Sequence, residues 1–407
     1  MDKQFPRLWQ TFDICLSVIS TLKLQDLKDP TGVNLIGDPS SEKGTVLSCF
    51  YECPRIYRSD TFTPKSFVTG LNIKSEKRLK QIDLLPRIEN KCILIPELAP
   101  IFNMRKEDLI QNLAILTRVF DGQGLTIDVG TVGRRGYRRP ITFAWLGATT
   151  PLPFHTWSDM IRLGTRMFFH EIPQPVGENV ETLINDVFKT EDYSNKIALV
   201  NVAIKEFLGK MFETDDTKSC VKNFVWEKEK DEDEAYFFIT QLAQLVTKLR
   251  SPLRTWRSYS DDKLDYEYKI PMKERPKRAM MILYNIARGH AINYGRDHII
   301  KEDVKNLIPI TFSSMPDDRR RLWNLLIKNP NGLTYEIVKE EYKCSKQHAH
   351  RIMKNMKIIG VGEFAELSDD RYKVLELKSE FADLIDVLKK IGDDKNGSAK
   401  NNDRKNR

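Results

Sequence analysis

The chain has 407 residues, 41% hydrophobic and 30% charged, enough to bury a sizeable core in two or three domains and far from the disordered class. Lys+Arg 65 against Asp+Glu 57 gives +8, but residues 389–407 hold seven basic and three acidic residues, so +4 of that total lies in the tail and +4 in the body. This excludes a uniformly basic coat, and any DNA-binding surface must be a local patch.

Six cysteines (Cys15, Cys49, Cys53, Cys92, Cys220 and Cys344) are scattered without a recurring CxxC, which argues against a zinc ribbon or a disulfide framework. The Cys49/Cys53 spacing suits two metal ligands, but no second pair follows. No apolar run approaches the ~20 residues of a membrane span. The start, MDKQFPRLWQ, lacks the apolar centre of a signal peptide. A soluble cytoplasmic protein that does not engage a membrane is expected.

In chain order, residues 11–26 show roughly helical apolar spacing, followed by a DPTG turn and the strand pattern VNLIG. CILIPEL (92–98) and ITFAWLGATTP (141–151) read as further buried strands, with the helical stretch KEDLIQNLAILTRVF (106–120) between them. Strands separated by helices predict an α/β fold with a parallel sheet. From about 176 to 310 the periodicity is helical, broken by KEKDEDE (228–234), a solvated surface loop on this reading. A last module starts near Pro316: three helices, with Thr334 and Ser345 as N-caps, then two short strands around SDDR (368–371). Residues 391–407 are expected to be a disordered basic tail.

The first strand runs into Gly37-Asp38-Pro39-Ser40-Ser41-Glu42-Lys43-Gly44-Thr45, with Gly37 and Lys43 six apart. That is the frame of a phosphate loop, in which backbone N–H groups wrap phosphates and a lysine reaches the terminal ones. Glu42 stands where a glycine is usual. Gly44 stands where a Ser or Thr would offer a hydroxyl to Mg²⁺, with Thr45 one place late, so use of Thr45 requires a bulge at Gly44. The plain alternative is a Gly/Pro/Ser connection between strand and helix. CILIPEL ends in a carboxylate as a Walker B strand does: Glu97 is the candidate base, and Pro96 replaces the usual metal-binding Asp. Thr149 and Thr150 end the third strand before Pro151. A polar side chain there would lie near a terminal phosphate if the strand falls between the other two, and the plain alternative is a Thr-Thr-Pro turn.

The order and spacing of these segments resemble a AAA+ ATPase of the helix-2-insert group, closest to the minichromosome-maintenance (MCM) helicase motor. The GDP-x-x-x-K loop has that family's form. TRVFDGQGLTIDVGTVGRRGYRRPITFAWLGATTP (117–151) resembles its run through a β-hairpin insert, about 122–142, to the sensor-1 strand. Thr150 matches the sensor-1 position. MIRLGTRMFFH (160–170) resembles the arginine-finger segment, which maps the finger onto Arg166. KRAMMILYNIARGHA (277–291) resembles the lid helix opening with the sensor-2 arginine, here Arg278.

The resemblance implies a AAA+ core with hairpin insert over 1–175, a helical lid over 176–312 and, after it, a winged helix over 316–380. It further implies ATP and Mg²⁺ as cofactors, with Thr45 the remaining protein ligand to the metal. Assembly as a homo-oligomer, a hexameric ring on DNA, follows from the same likeness. The alternative is a non-hydrolysing, nucleotide-gated DNA-binding or adaptor protein.

Two segments suit DNA. Arg134, Arg135, Arg138 and Arg139 surround Gly136-Tyr137 at what reads as a hairpin tip, where phosphate contacts are sequence-independent and Tyr137 is placed to stack on a base. The third helix of the last module carries Lys346, Arg351, Lys354 and Lys357, in the position of a groove-reading helix. Protein binding is the alternative use of such a helix.

Overall fold

The computed structural model describes residues 4–130, 132–160, 164–175, 193–213, 224–253, 255–260, 263–269, 271, 274–366, 373–386 and 388. The chain packs as two units, one of residues 1–235 with 281–313 and one of 236–280 with 314–407.

The first unit is built on a five-stranded sheet. Its strands are β1 (Thr31–Ile36), β2 (Ile56–Arg58), β3 (Cys92–Ile95), β6 (Ala144–Thr149) and β7 (Phe168–Glu171). A separate hairpin of β4 (Leu125–Val129) and β5 (Gly133–Tyr137) lies between β3 and β6 in the chain. The sheet order is β2-β3-β6-β1-β7 and every pairing is parallel. All residues of β1, β3 and β6 are buried, as expected for central parallel strands covered on both faces. β3 stops at Ile95, because Pro96 has no N–H to continue the ladder.

On one side of the sheet, Trp145 packs edge-on against Phe62 and Phe120, and its indole N–H donates to Asn34 Oδ1 at 2.8 Å. The helix Trp9–Ser20 is buried from Thr11 to Ser20. The supposed solvated loop at 228–234 is different in one respect: Asp231 is buried and accepts from the Trp226 and Ile299 N–H groups and the Tyr284 hydroxyl.

The second unit contains a hairpin that helical periodicity does not reveal, β8 (Thr255–Ser260) paired with β9 (Lys263–Tyr268). The helices Asp317–Lys328, Tyr335–Tyr342 and Lys346–Ile359 precede a second hairpin, β10 (Gly362–Glu366) with β11 (Lys373–Leu377). Leu333 adds a two-bond bridge to Leu375, and Trp323 packs edge-on to Phe381. The hydroxyl of Ser345 accepts from His348 N–H, while Thr334 caps its helix by position only. The SDDR segment and the basic tail lie outside the described residues.

Candidate functional site

Strand order determines which chain segments meet. β6 lies between β1 and β3, so the loop after β1, the Thr149–Thr150 strand end and Glu97 occupy three neighbouring carboxyl ends. Two backbone bonds tie these ends together: Gly37 N–H donates to Thr149 O, and Leu98 N–H donates to Ala148 O at 2.7 Å. Gly147 is required here, since a Cβ would approach Leu98 Cδ1 to 2.3 Å and Asn34 Oδ1 to 2.4 Å.

Within the loop, Gly37 and Ser41 are buried while Asp38, Pro39 and Ser40 are exposed. Lys43 is buried, and its ammonium donates to Gly37 O and Asp38 O, both at 2.7 Å, and to Ser41 Oγ at 3.2 Å. Burial lowers its pKa from the ordinary lysine value, opposed by the charges of Glu97 and Asp38. Glu97 itself is exposed and accepts from Ala99 N–H at 2.8 Å.

Glu42 adopts φ 64°, the left-handed conformation a glycine takes without cost, and Ser40 adopts φ 65°. The side chain of Glu42 is held by the Arg7 guanidinium and the Tyr193 hydroxyl. The expected bulge at Gly44 is absent: Gly44 sits inside the helix Lys43–Ser48, and the left-handed turn falls at Glu42 instead. Thr45 is half-buried, with its Oγ 3.3 Å from the Tyr193 hydroxyl.

Thr150 is half-buried, whereas Thr149 is fully buried, and its hydroxyl has no hydrogen-bond partner among the described residues. Sequence reasoning chose Thr150; the orphan hydroxyl of Thr149 becomes visible only once the strands are assembled. Arg166 is 8% exposed and donates through Nε and Nη2 to Asp121 Oδ1 at 2.9 and 2.8 Å. It is therefore engaged within its own chain. Arg278 is exposed in the first turn of the helix Lys277–Asn293 and falls in the second unit.

For a nucleotide phosphate the residues offer the Lys43 ammonium, which here is held by its own loop at Gly37 O, Asp38 O and Ser41 Oγ. No group of three or more His, Cys, Asp or Glu that could hold a metal occurs among the described residues. Cys49 and Cys53 are buried, their thiols pointing at backbone carbonyls.

The arginine-rich hairpin differs from expectation. Its turn lies at Val129–Gly133, and the arginines run along and beyond β5 rather than across the tip. Alternation sorts them. Arg135 and Tyr137 share the inner side, where Arg135 is buried and reaches Leu71 O and Asp83, and the Tyr137 hydroxyl donates to Asp83 at 2.9 Å. Arg139 pairs with both Glu89 oxygens. Arg134 and Arg138 remain outward and exposed. In the second unit, Lys346 lies over the Tyr335 ring, Arg351 donates to His348, and Lys354 is half-buried.

No family model matches the chain, and no curated protein matches it. Among solved structures, the apo A form of the NrS-1 C-terminal region is similar over 93% of this chain and 76% of that one, at 10% identity and a TM-score of 0.27. At that score the likeness carries no functional argument. No helix among the described residues is long and apolar enough to cross a membrane.

Proposed function

We propose that the chain is an ATP-binding protein of AAA+ type, with a hairpin insert and a carboxy-terminal winged helix, that assembles as a ring on DNA and acts as an MCM-like motor or remodeller. One observation carries the reading: the sheet order β3-β6-β1 brings the Lys43 loop, two threonines and Glu97 to one edge. In this reading Lys43 neutralises the phosphates, the backbone N–H groups in the first turn of the helix Lys43–Ser48 hold their oxygens, and Glu97 orients and deprotonates water. Thr45 would offer its hydroxyl to a bound Mg²⁺, whose chemistry would be to neutralise phosphate charge.

A second reading, a nucleotide-gated scaffold that does not hydrolyse ATP, is supported by Pro96 in place of a metal carboxylate and by Arg166 bound to Asp121 in cis. Titrating ATP into wild-type and Lys43→Ala protein tests the site, with loss of binding expected in the variant. Unchanged affinity would remove the phosphate-loop assignment. Phosphate release measured with and without single-stranded DNA then separates motor from scaffold.

A further inference from the structure

The segment Asn72–Gln81 contains Lys74, Lys77, Arg78 and Lys80 against a single acidic residue, Glu76. Its helix, Glu76–Ile82, has no buried residue, so core packing does not explain it. What holds the helix is its two ends. Ser75 Oγ accepts from Arg78 N–H at the start, and Asp83 follows at the other end. The buried Asp83 carboxylate accepts from the Thr69 N–H and hydroxyl, both at 2.8 Å, and from the Tyr137 hydroxyl and Arg135 of β5. The helix is thereby fastened to the hairpin, more than fifty residues away in the chain.

Between the two lies a cavity of about 310 Å³, lined by the cations Lys80, Arg134 and Arg135, the carboxylates Glu76 and Asp83, and Leu79 and Tyr137. Asp83 is already engaged by Arg135 and Tyr137, which leaves Lys80 and Arg134 as the cavity's unpaired cations among the described residues. Lys74, Lys77, Arg78, Lys80, Arg134 and Arg138 are all exposed, and none of the six has a carboxylate within ion-pair distance among the described residues. Arg135 and Arg139, by contrast, are both paired. Arg134 lies within β5 and Arg138 just past its end at Tyr137. Lys80 and Arg134 line the cavity itself, and the other four exposed cations lie in the same two segments. Unpaired like charges at this density repel one another unless a polyanion faces them.

We infer that this composite surface, the helix Glu76–Ile82 together with the exposed arginines Arg134 and Arg138 in and just after β5, binds the phosphate backbone of single-stranded nucleic acid. Single-stranded nucleic acid is the form assigned, because its flexible backbone can bring one phosphate between Lys80 and Arg134 while its neighbours meet the flanking cations. The inference rests on the nucleic-acid part of the proposed function and adds a second segment to it.

The test is fluorescence anisotropy of the full chain with a labelled oligothymidylate of about 20 nucleotides, over a series of salt concentrations. Removing three phosphate contacts with K77Q/R78Q/K80Q is expected to weaken binding at least tenfold at ~150 mM salt and to flatten the log–log slope by about 2. R134Q/R138Q should flatten it by about 1.4. K28Q/K65Q/K106Q, which removes the same charge elsewhere, should leave both unchanged. All these side chains are exposed, so circular dichroism and ATP affinity should match wild type.

Wild-type affinity in K77Q/R78Q/K80Q, with R134Q/R138Q still impaired, would overturn this surface and leave the nucleic-acid reading standing. No binding by wild type would overturn both. Equal affinity for polyglutamate of the same length, or tighter binding of duplex, would overturn the assignment to a single strand.

Discussion

Glu42 shows how a residue can occupy a glycine's place in a loop by accepting its dihedral angles. A left-handed conformation costs a side chain with a Cβ roughly 1–2 kcal/mol, and here Arg7 and Tyr193 hold the carboxylate in place. Glu42→Gly is therefore expected to keep ATP affinity, read by calorimetric titration, while the β-branched Glu42→Val should lose it. Thr149 presents the opposite situation, a buried hydroxyl without a partner among the described residues. Replacing an unsatisfied buried hydroxyl with an apolar group of the same shape removes a desolvation cost. Thr149→Val should raise the unfolding free energy in urea by about 1 kcal/mol, and no gain would mean that water or ligand satisfies the hydroxyl in solution.

At the scale of elements, buried carboxylates join helices that apolar packing alone does not orient. His290 on the helix Lys277–Asn293 lies between Asp13 and Asp303, and Arg296 and Asn306 complete the cluster. Burial is the largest single influence on His290 and opposes its charge. The hydrogen bonds and charges of Asp13 and Asp303 together outweigh burial, raising its pKa to about 9 from an ordinary 6.5. A raised folded-state pKa means that the stabilisation is complete below about 6.5 and is lost as pH rises to about 9. Thermal unfolding should accordingly drop across that window, and His290→Gln should remove the drop; a flat wild-type profile would contradict the charged imidazolium. Asp83 plays the same joining role for the hairpin. Asp83→Ala leaves Arg135 buried without its carboxylate and should cost about 3 kcal/mol in denaturant unfolding.

For the whole molecule, the proposed activity depends on what the site lacks. Pro96 cannot coordinate a metal, and Thr45 is engaged with Tyr193. ATP turnover is expected below the usual 1–10³ s⁻¹, reduced further by Glu97→Gln. Arg166 must leave Asp121 before it can serve a neighbouring subunit. Asp121→Asn weakens that internal hold and should raise turnover in the assembled protein, measured as phosphate release beside the particle mass in ATP. Unchanged turnover in assembled Asp121→Asn would assign the pair to internal packing.

Apolar runs located β1, β3 and β6, because strands buried on both faces are apolar at nearly every position. The Gly37–Lys43 spacing likewise marked a connection between strand and helix, found between β1 and the helix Lys43–Ser48. Edge strands were less legible: β2 is three residues long and half-exposed, and β7 was absorbed into a segment read for its arginine. The β8–β9 hairpin was missed although TWRSYS-DD-KLDYEY has two strand-like runs on either side of two aspartates. The sequence by itself determined which residues carry charge, where the chain must turn and which runs must be buried, since those follow from side-chain chemistry and local dihedral cost. Only the tertiary structure decided which strand ends became neighbours and which arginines became paired. Alternation assigns Arg135 a side of its strand, but Asp83 lies more than fifty residues away, and long-range closure alone brings the two together.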